Sequence, residues 1–183
     1  MLALVGCGST AGPGSGQAAP PARVSPTARA RAIACKTTEL QVTLDLAAAG
    51  VAAGSSYVPL EFTNASASAC TLAGYPAVVF SSGVAGPQIG SAGSAQVSTH
   101  TSTLVLAPGG VAHAWLQILD VANYPSGQCK PVQASGLRVS FGGTQTAAYL
   151  AHPFQACQNV LRGSDVLAVF PVQPGRARRG TAP

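Results

Sequence analysis

Charge is what this sequence has least of. Ten Lys/Arg and five Asp/Glu in 183 residues make 8%, about a third of the ~25% usual for soluble domains. The few cations are also badly placed for nucleic acid. Arg23, Arg29 and Arg31 precede the first domain cysteine, and Arg176, Arg178 and Arg179 follow the last expected strand. Between Cys35 and Gln173 only Lys36, Lys130, Arg138 and Arg162 stand against Glu39, Asp45, Glu61, Asp120 and Asp165, so the folded part nets −1. A groove that follows phosphates needs clustered Lys/Arg with aromatic platforms between them, so nucleic acid is not an expected partner.

Metal and catalytic signatures are equally thin. His100, His113 and His152 are the only imidazoles, and no two have the i, i+2 or i, i+4 spacing that aims a pair at one ion. Met1 is the only methionine, which disfavours a copper chaperone, and a copper/zinc sandwich needs more histidines. Neither a Gly-x-Ser-x-Gly elbow nor a Gly-rich phosphate loop occurs. No cofactor, metal or catalytic residue is expected. No run approaches the ~18 to 20 apolar residues of a membrane span.

What is present begins with an address. Residues 1–7 read Met-Leu-Ala-Leu-Val-Gly-Cys, and Leu4-Val5-Gly6-Cys7 resembles the lipobox of bacterial lipoproteins, whose cysteine receives lipid. The apolar run is about five residues and lacks a positive n-region, against the 7 to 15 of a secretory signal. The expected start therefore lies upstream, with 1–7 a truncated signal. Residues 8–34, rich in Gly, Ser, Ala and Pro, read as a disordered tether. Five cysteines leave one over after two disulfides, and a lipidated, palmitate-type Cys7 accounts for it. The expectation is an exported protein, secreted or lipid-anchored on the outer face of the cytoplasmic membrane.

From Cys35 the pattern becomes that of strands. Leu40, Val42, Leu44 and Leu46 alternate with polar residues, as do Val58, Leu60 and Phe62, and then Leu137, Val139 and Phe141. Ala77–Ser81, Thr103–Leu106, Val111–Leu119, 144–150 and 166–172 complete the set, with Pro108-Gly109-Gly110 and Gly142-Gly143 as turns. Asn64-Ala65-Ser66 matches a glycosylation sequon but reads as a loop. Val111–Leu119 is apolar on both faces, and Trp115 on it is expected to be a core aromatic. The expected fold is all-β: an antiparallel immunoglobulin-like β-sandwich of seven or eight strands over 35–173. Residues 174–183 are expected as a basic disordered tail.

Cys35, Cys70, Cys129 and Cys157 stand too far apart for CxxC-type zinc pairs. If strands 39–46 and 57–63 are antiparallel neighbours, Cys35 and Cys70 sit at one end of their sheet. The hairpin of 137–141 with 144–150 does the same for Cys129 and Cys157. The expected disulfides are Cys35–Cys70 and Cys129–Cys157, which again imply an envelope location.

Several landmarks together resemble the actinobacterial family called domain of unknown function 4232. They are Leu60-Glu61-Phe62-Thr63-Asn64, Cys70-Thr71-Leu72-Ala73-Gly74-Tyr75-Pro76, Ile89-Gly90, Leu106-Ala107-Pro108-Gly109-Gly110, Cys129-Lys130-Pro131 and Cys157. The resemblance implies an exported β-sandwich, often behind a lipobox, and implies no activity. The Cys70–Pro76 stretch reads as a scaffold corner; the other reading makes Tyr75 and Asn64 ligand contacts. Two functions follow. The first is a non-enzymatic, envelope-anchored binding or structural module for a protein, glycan or lipid. The alternative is a secreted hydrolase or redox enzyme whose site gathers His113 or His152 with Glu61, Asp120 or Asp165.

Overall fold

Alternating apolar residues must bury one face of each strand, and in the computed structural model they do so between two sheets. It describes residues 33–97, 101–142, 146–161 and 165–183. In chain order the strands are β1 (Ile33–Ala34), β2 (Leu40–Leu44), β3 (Gly50–Ala52), β4 (Ser55–Asn64), β5 (Cys70–Ala73), β6 (Ala77–Ser81) and β7 (Gln88–Ile89). They continue as β8 (Ser94–Ala95), β9 (Thr103–Leu106), β10 (Val111–Leu119), β11 (Pro131–Ser140), β12 (Ala148–Cys157), β13 (Leu167–Val169) and β14 (Gln173–Pro174). The first sheet runs β2-β4-β10-β13-β8, with β3 on β4 and β14 on β10; the second runs β12-β11-β6-β7. A small third sheet, β1-β5-β9, completes the set.

The fold is an all-β sandwich, as expected, but it has fourteen strand segments among the described residues rather than seven or eight. Six of these, β1, β3, β7, β8, β13 and β14, are only two or three residues long, too short to leave a period-2 signature.

Register explains the core. Leu116, Ala114 and Ala112 of β10 stand opposite Val58, Leu60 and Phe62 of β4. This inward layer joins Val78 and Phe80 of β6, Leu137 and Val139 of β11 and Phe154 of β12 in one buried cluster. The Phe62 and Phe141 rings meet edge to face at 4.9 Å. Each such side chain, fully buried, contributes about 1.5–3 kcal/mol. The disulfides are Cys35–Cys70 and Cys129–Cys157, the pairs that strand placement predicts, and all four cysteines are buried. The first bonds the chain ahead of β2 to β5; the second lies at the Pro131↔Cys157 end of the β11–β12 ladder.

Two boundaries are corrected. Ile33 and Ala34, expected as tether, pair in parallel with Cys70 and Thr71. Residues 174–183, expected as a disordered basic tail, fold back on the outer face of the first sheet. Pro174 and Gln173 pair with Ala112 and His113, Gly175 takes φ +75°, and Ala177 is buried with Trp115 and Ala48. The physical reason lies in β10: its odd-numbered residues are large and face away from the sandwich, so that side also needs covering. Trp115 is correspondingly buried, at 1% exposure, in this separate outer cluster rather than between the sheets.

Candidate functional site

At one end of the sandwich the inter-sheet space opens into a cleft of about 860 Å³. Ser56, opposite Ile118 in the ladder, continues the inward row of β4 beyond Val58, and Phe154 enters from β12. The outer wall is the β3–β4 hairpin, Gly50 to Ser55, with Leu46 and Val51 among its apolar surfaces. Val51 is 84% exposed.

Two local devices shape the walls. Ala134 pairs with Phe154 and Gly136 with Ala151, so His152 and Pro153 together oppose Ser135 alone. That β-bulge breaks the alternation and puts both residues on the cleft. Proline suits the place, because β12 is an edge strand and its outer side needs no donor. On the other wall, the Gly54 carbonyl accepts from the Asp120 backbone N–H at 2.9 Å and from Asn123 Nδ2 at 3.0 Å. These bonds clamp the turn between β3 and β4 to the end of β10. The polar groups in the lining are few: His152, Asp120, Gln155, Ser55 and Ser56. A cleft of this size with mostly apolar walls and a handful of polar groups has the character of a small-molecule site.

Of the titratable residues singled out above, His152 and Asp120 share the cleft lining, and the others lie elsewhere. Asp120 Oδ1 accepts from the Ala122 N–H at 2.9 Å and caps a 3-10 turn, Val121–Asn123. Glu61 and His113 are directly opposed cross-strand partners on the outer face, and each is held by the carboxyl-terminal segment. His113 Nδ1 donates to the Gly175 carbonyl at 2.9 Å, and the Glu61 carboxylate pairs through Oε2 with Arg176. Asp165 is exposed; with burial as the larger cause, its charge helps hold the Tyr124 hydroxyl above the ordinary tyrosine range. Among the described residues no three His, Cys, Asp or Glu side chains converge as metal ligands. His100 and Cys7 lie outside the described residues.

Asn64 and Tyr75 serve the scaffold. Asn64 is 1% exposed; its Nδ2 donates to the carbonyls of Ser68 at 2.8 Å and Leu106 at 3.0 Å, and its Oδ1 accepts from Ser66. Tyr75 donates its hydroxyl to the Gln96 carbonyl at 3.0 Å. Both therefore tie loops, as the corner reading requires. Sequence reasoning missed the cleft walls, although Ala53-Gly54 between two short apolar runs and a mid-strand proline at 153 were available signals.

Among the described residues no helix is long and apolar enough to cross a membrane. Neither a curated protein nor a solved structure matches the chain. One family model does match, described as "Domain of unknown function (DUF4232)", and it spans residues 35–173. With most of its length inside that match, and with the landmark cysteines and turns on a disulfide-bonded sandwich, the chain belongs to the DUF4232 family.

Proposed function

We propose that this protein is a non-enzymatic binding module of the cell envelope, held at the outer face of the membrane by lipid on Cys7, and that its ligand enters the end cleft. The ligand class we assign is the acyl part of a membrane lipid. The observation that carries this reading is the cleft itself: about 860 Å³, walled by Leu46, Val51, Val58, Ile118 and Phe154, with Asp120 its one formally charged residue apart from the titratable His152. Apolar burial then drives association, and the few polar groups orient a head group at the rim. Two disulfides suit an oxidising compartment, and the lipobox-like Leu4–Cys7 supplies the anchor that brings the cleft near lipid.

Titration of the full chain with a fluorescent long-chain fatty acid tests the site. Saturable binding is expected, with Ser56→Trp, which fills the cleft from β4, weakening it at least tenfold. Absence of saturable binding, or equal binding by Ser56→Trp, overturns the assignment. Mass spectrometry of the mature amino terminus tests the anchor: a diacylglyceryl-modified Cys7 supports it and an unmodified thiol refutes it.

A further inference from the structure

The outer face of the first sheet is covered by the molecule's own carboxyl-terminal segment. Glu61 is held almost out of solvent, with its side chain 5% exposed, yet Arg176 reaches it through one nitrogen and remains 68% exposed. Oε2 takes that contact; Oε1 is buried and has no hydrogen-bond partner among the described residues. A carboxylate is fully matched by a guanidinium that donates two parallel bonds. The segment 175–182 thus half-satisfies a buried acceptor. Its other ties are light. The Gly175 N–H donates to the Val111 carbonyl at 2.9 Å and its carbonyl accepts from His113 at 2.9 Å, Arg179 Nε donates to the Ala47 carbonyl at 3.0 Å, and alanines at 177 and 182 pack on the Trp115 cluster.

We propose that the surface formed by Glu61, His113 and Trp115 is a recognition site for an extended peptide segment of another protein, carrying an arginine followed by a small residue. The chain's own 175–182 segment occupies that site in cis until it is displaced. The seated segment shows the chemistry that fits: a guanidinium for Glu61, a backbone carbonyl for His113, and a small side chain, Ala177, packed with Trp115. A partner arginine that reaches both oxygens of Glu61 completes the acceptor that Arg176 leaves half filled. The cis segment lowers the apparent affinity of such a partner by the fraction of molecules in which it is lifted.

Trp115 is the only tryptophan, so its emission reports the site directly. The probe is a peptide of residues 175–183, Gly-Arg-Ala-Arg-Arg-Gly-Thr-Ala-Pro, titrated into the full chain. Arg176→Ala, and separately Arg176→Gln, are expected to bind it at least tenfold more tightly than the unaltered chain, because the internal competitor is weakened. Adding Glu61→Gln to either variant is expected to remove that binding, and a peptide with alanine in place of its first arginine is expected not to bind. Equal affinities for the unaltered chain and both Arg176 variants overturn the proposal, as does binding that survives Glu61→Gln. A concentration-dependent dimer formed without peptide also overturns it, by assigning the surface to the tail of a second copy. Thermal unfolding of each variant confirms that it is folded before it is scored.

Discussion

Replacing Cys129 and Cys157 together by alanine removes a cross-link between residues 28 apart in sequence. Chain entropy alone assigns that loop roughly 3.6 kcal/mol at 25 °C. Both cysteines are buried, at 0% and 3% exposure, so two missing sulfurs also leave unfilled volume, adding about 1 kcal/mol. For a domain of this size each kcal/mol moves Tm by about 2–4 °C, which gives an expected fall of about 10–18 °C. The matched variant, Cys35→Ala with Cys70→Ala, opens a separation of 35 residues and loses roughly 3.8 kcal/mol by the same reasoning. The two falls should therefore be close to each other, and calorimetry of the oxidised proteins measures both. A fall below about 3 °C for either pair refutes the view that these bridges hold the ladders against unfolding.

Asn64→Asp is expected to destabilise the fold by about 1–3 kcal/mol or more, because a carboxylate would face the Leu106 and Ser68 carbonyls that now accept from the amide; unaltered urea unfolding would contradict this. Gly90 has φ +64°, and a β-carbon there would collide with the Cys157 carbonyl, so Gly90→Ala should lower the urea midpoint measurably. Tyr124 should ionise above the ordinary tyrosine range in an ultraviolet titration, because burial first and the Asp165 charge second raise its pKa. The sign follows: its contribution to stability is complete below the unfolded tyrosine value near ~10 and is lost as pH rises through the higher folded value. Asp165→Asn should move that ionisation part of the way down; an unchanged titration refutes the charge contribution.

Much of the architecture was legible because residues with one buried face declare themselves. Ala77–Ser81, Thr103–Leu106 and Val111–Leu119 are strands with the limits read from alternation and turns. Cys70–Ala73, inside the stretch that reads as a scaffold corner, is itself a strand bonded to β9, its four residues too few to show a period. The β11–β12 hairpin is longer than the 137–141 and 144–150 that alternation and turns outline: β11 starts at Pro131 and β12 extends to Cys157, and the His152-Pro153 bulge interrupts the pattern on β12. The carboxyl-terminal segment has no apolar period of its own and owes its order to what it meets. Its one advance sign was a β10 apolar on both faces, which requires cover on both.

The cleft was not legible for a different reason. Its walls come from 46–58, 118–121 and 152–155, and no local pattern announces that three separated stretches will border one space. Of the dispersed histidines and carboxylates, His152 and Asp120 line the cleft, whereas His113 and Glu61 lie on the outer face of the first sheet. In the structure His113 and Asp120 satisfy backbone groups, and Glu61 meets Arg176.

If the end cleft receives the acyl chain, backbone amide shifts of the full chain, recorded during titration with a long-chain fatty acid, will report it. Saturable shifts are expected to be confined to Gly50–Ser56, Ile118–Val121 and His152–Gln155, with Glu61, His113 and Trp115 on the opposite side of the first sheet unmoved. Shifts centred on that outer face, or none in the cleft at saturating fatty acid, would contradict it.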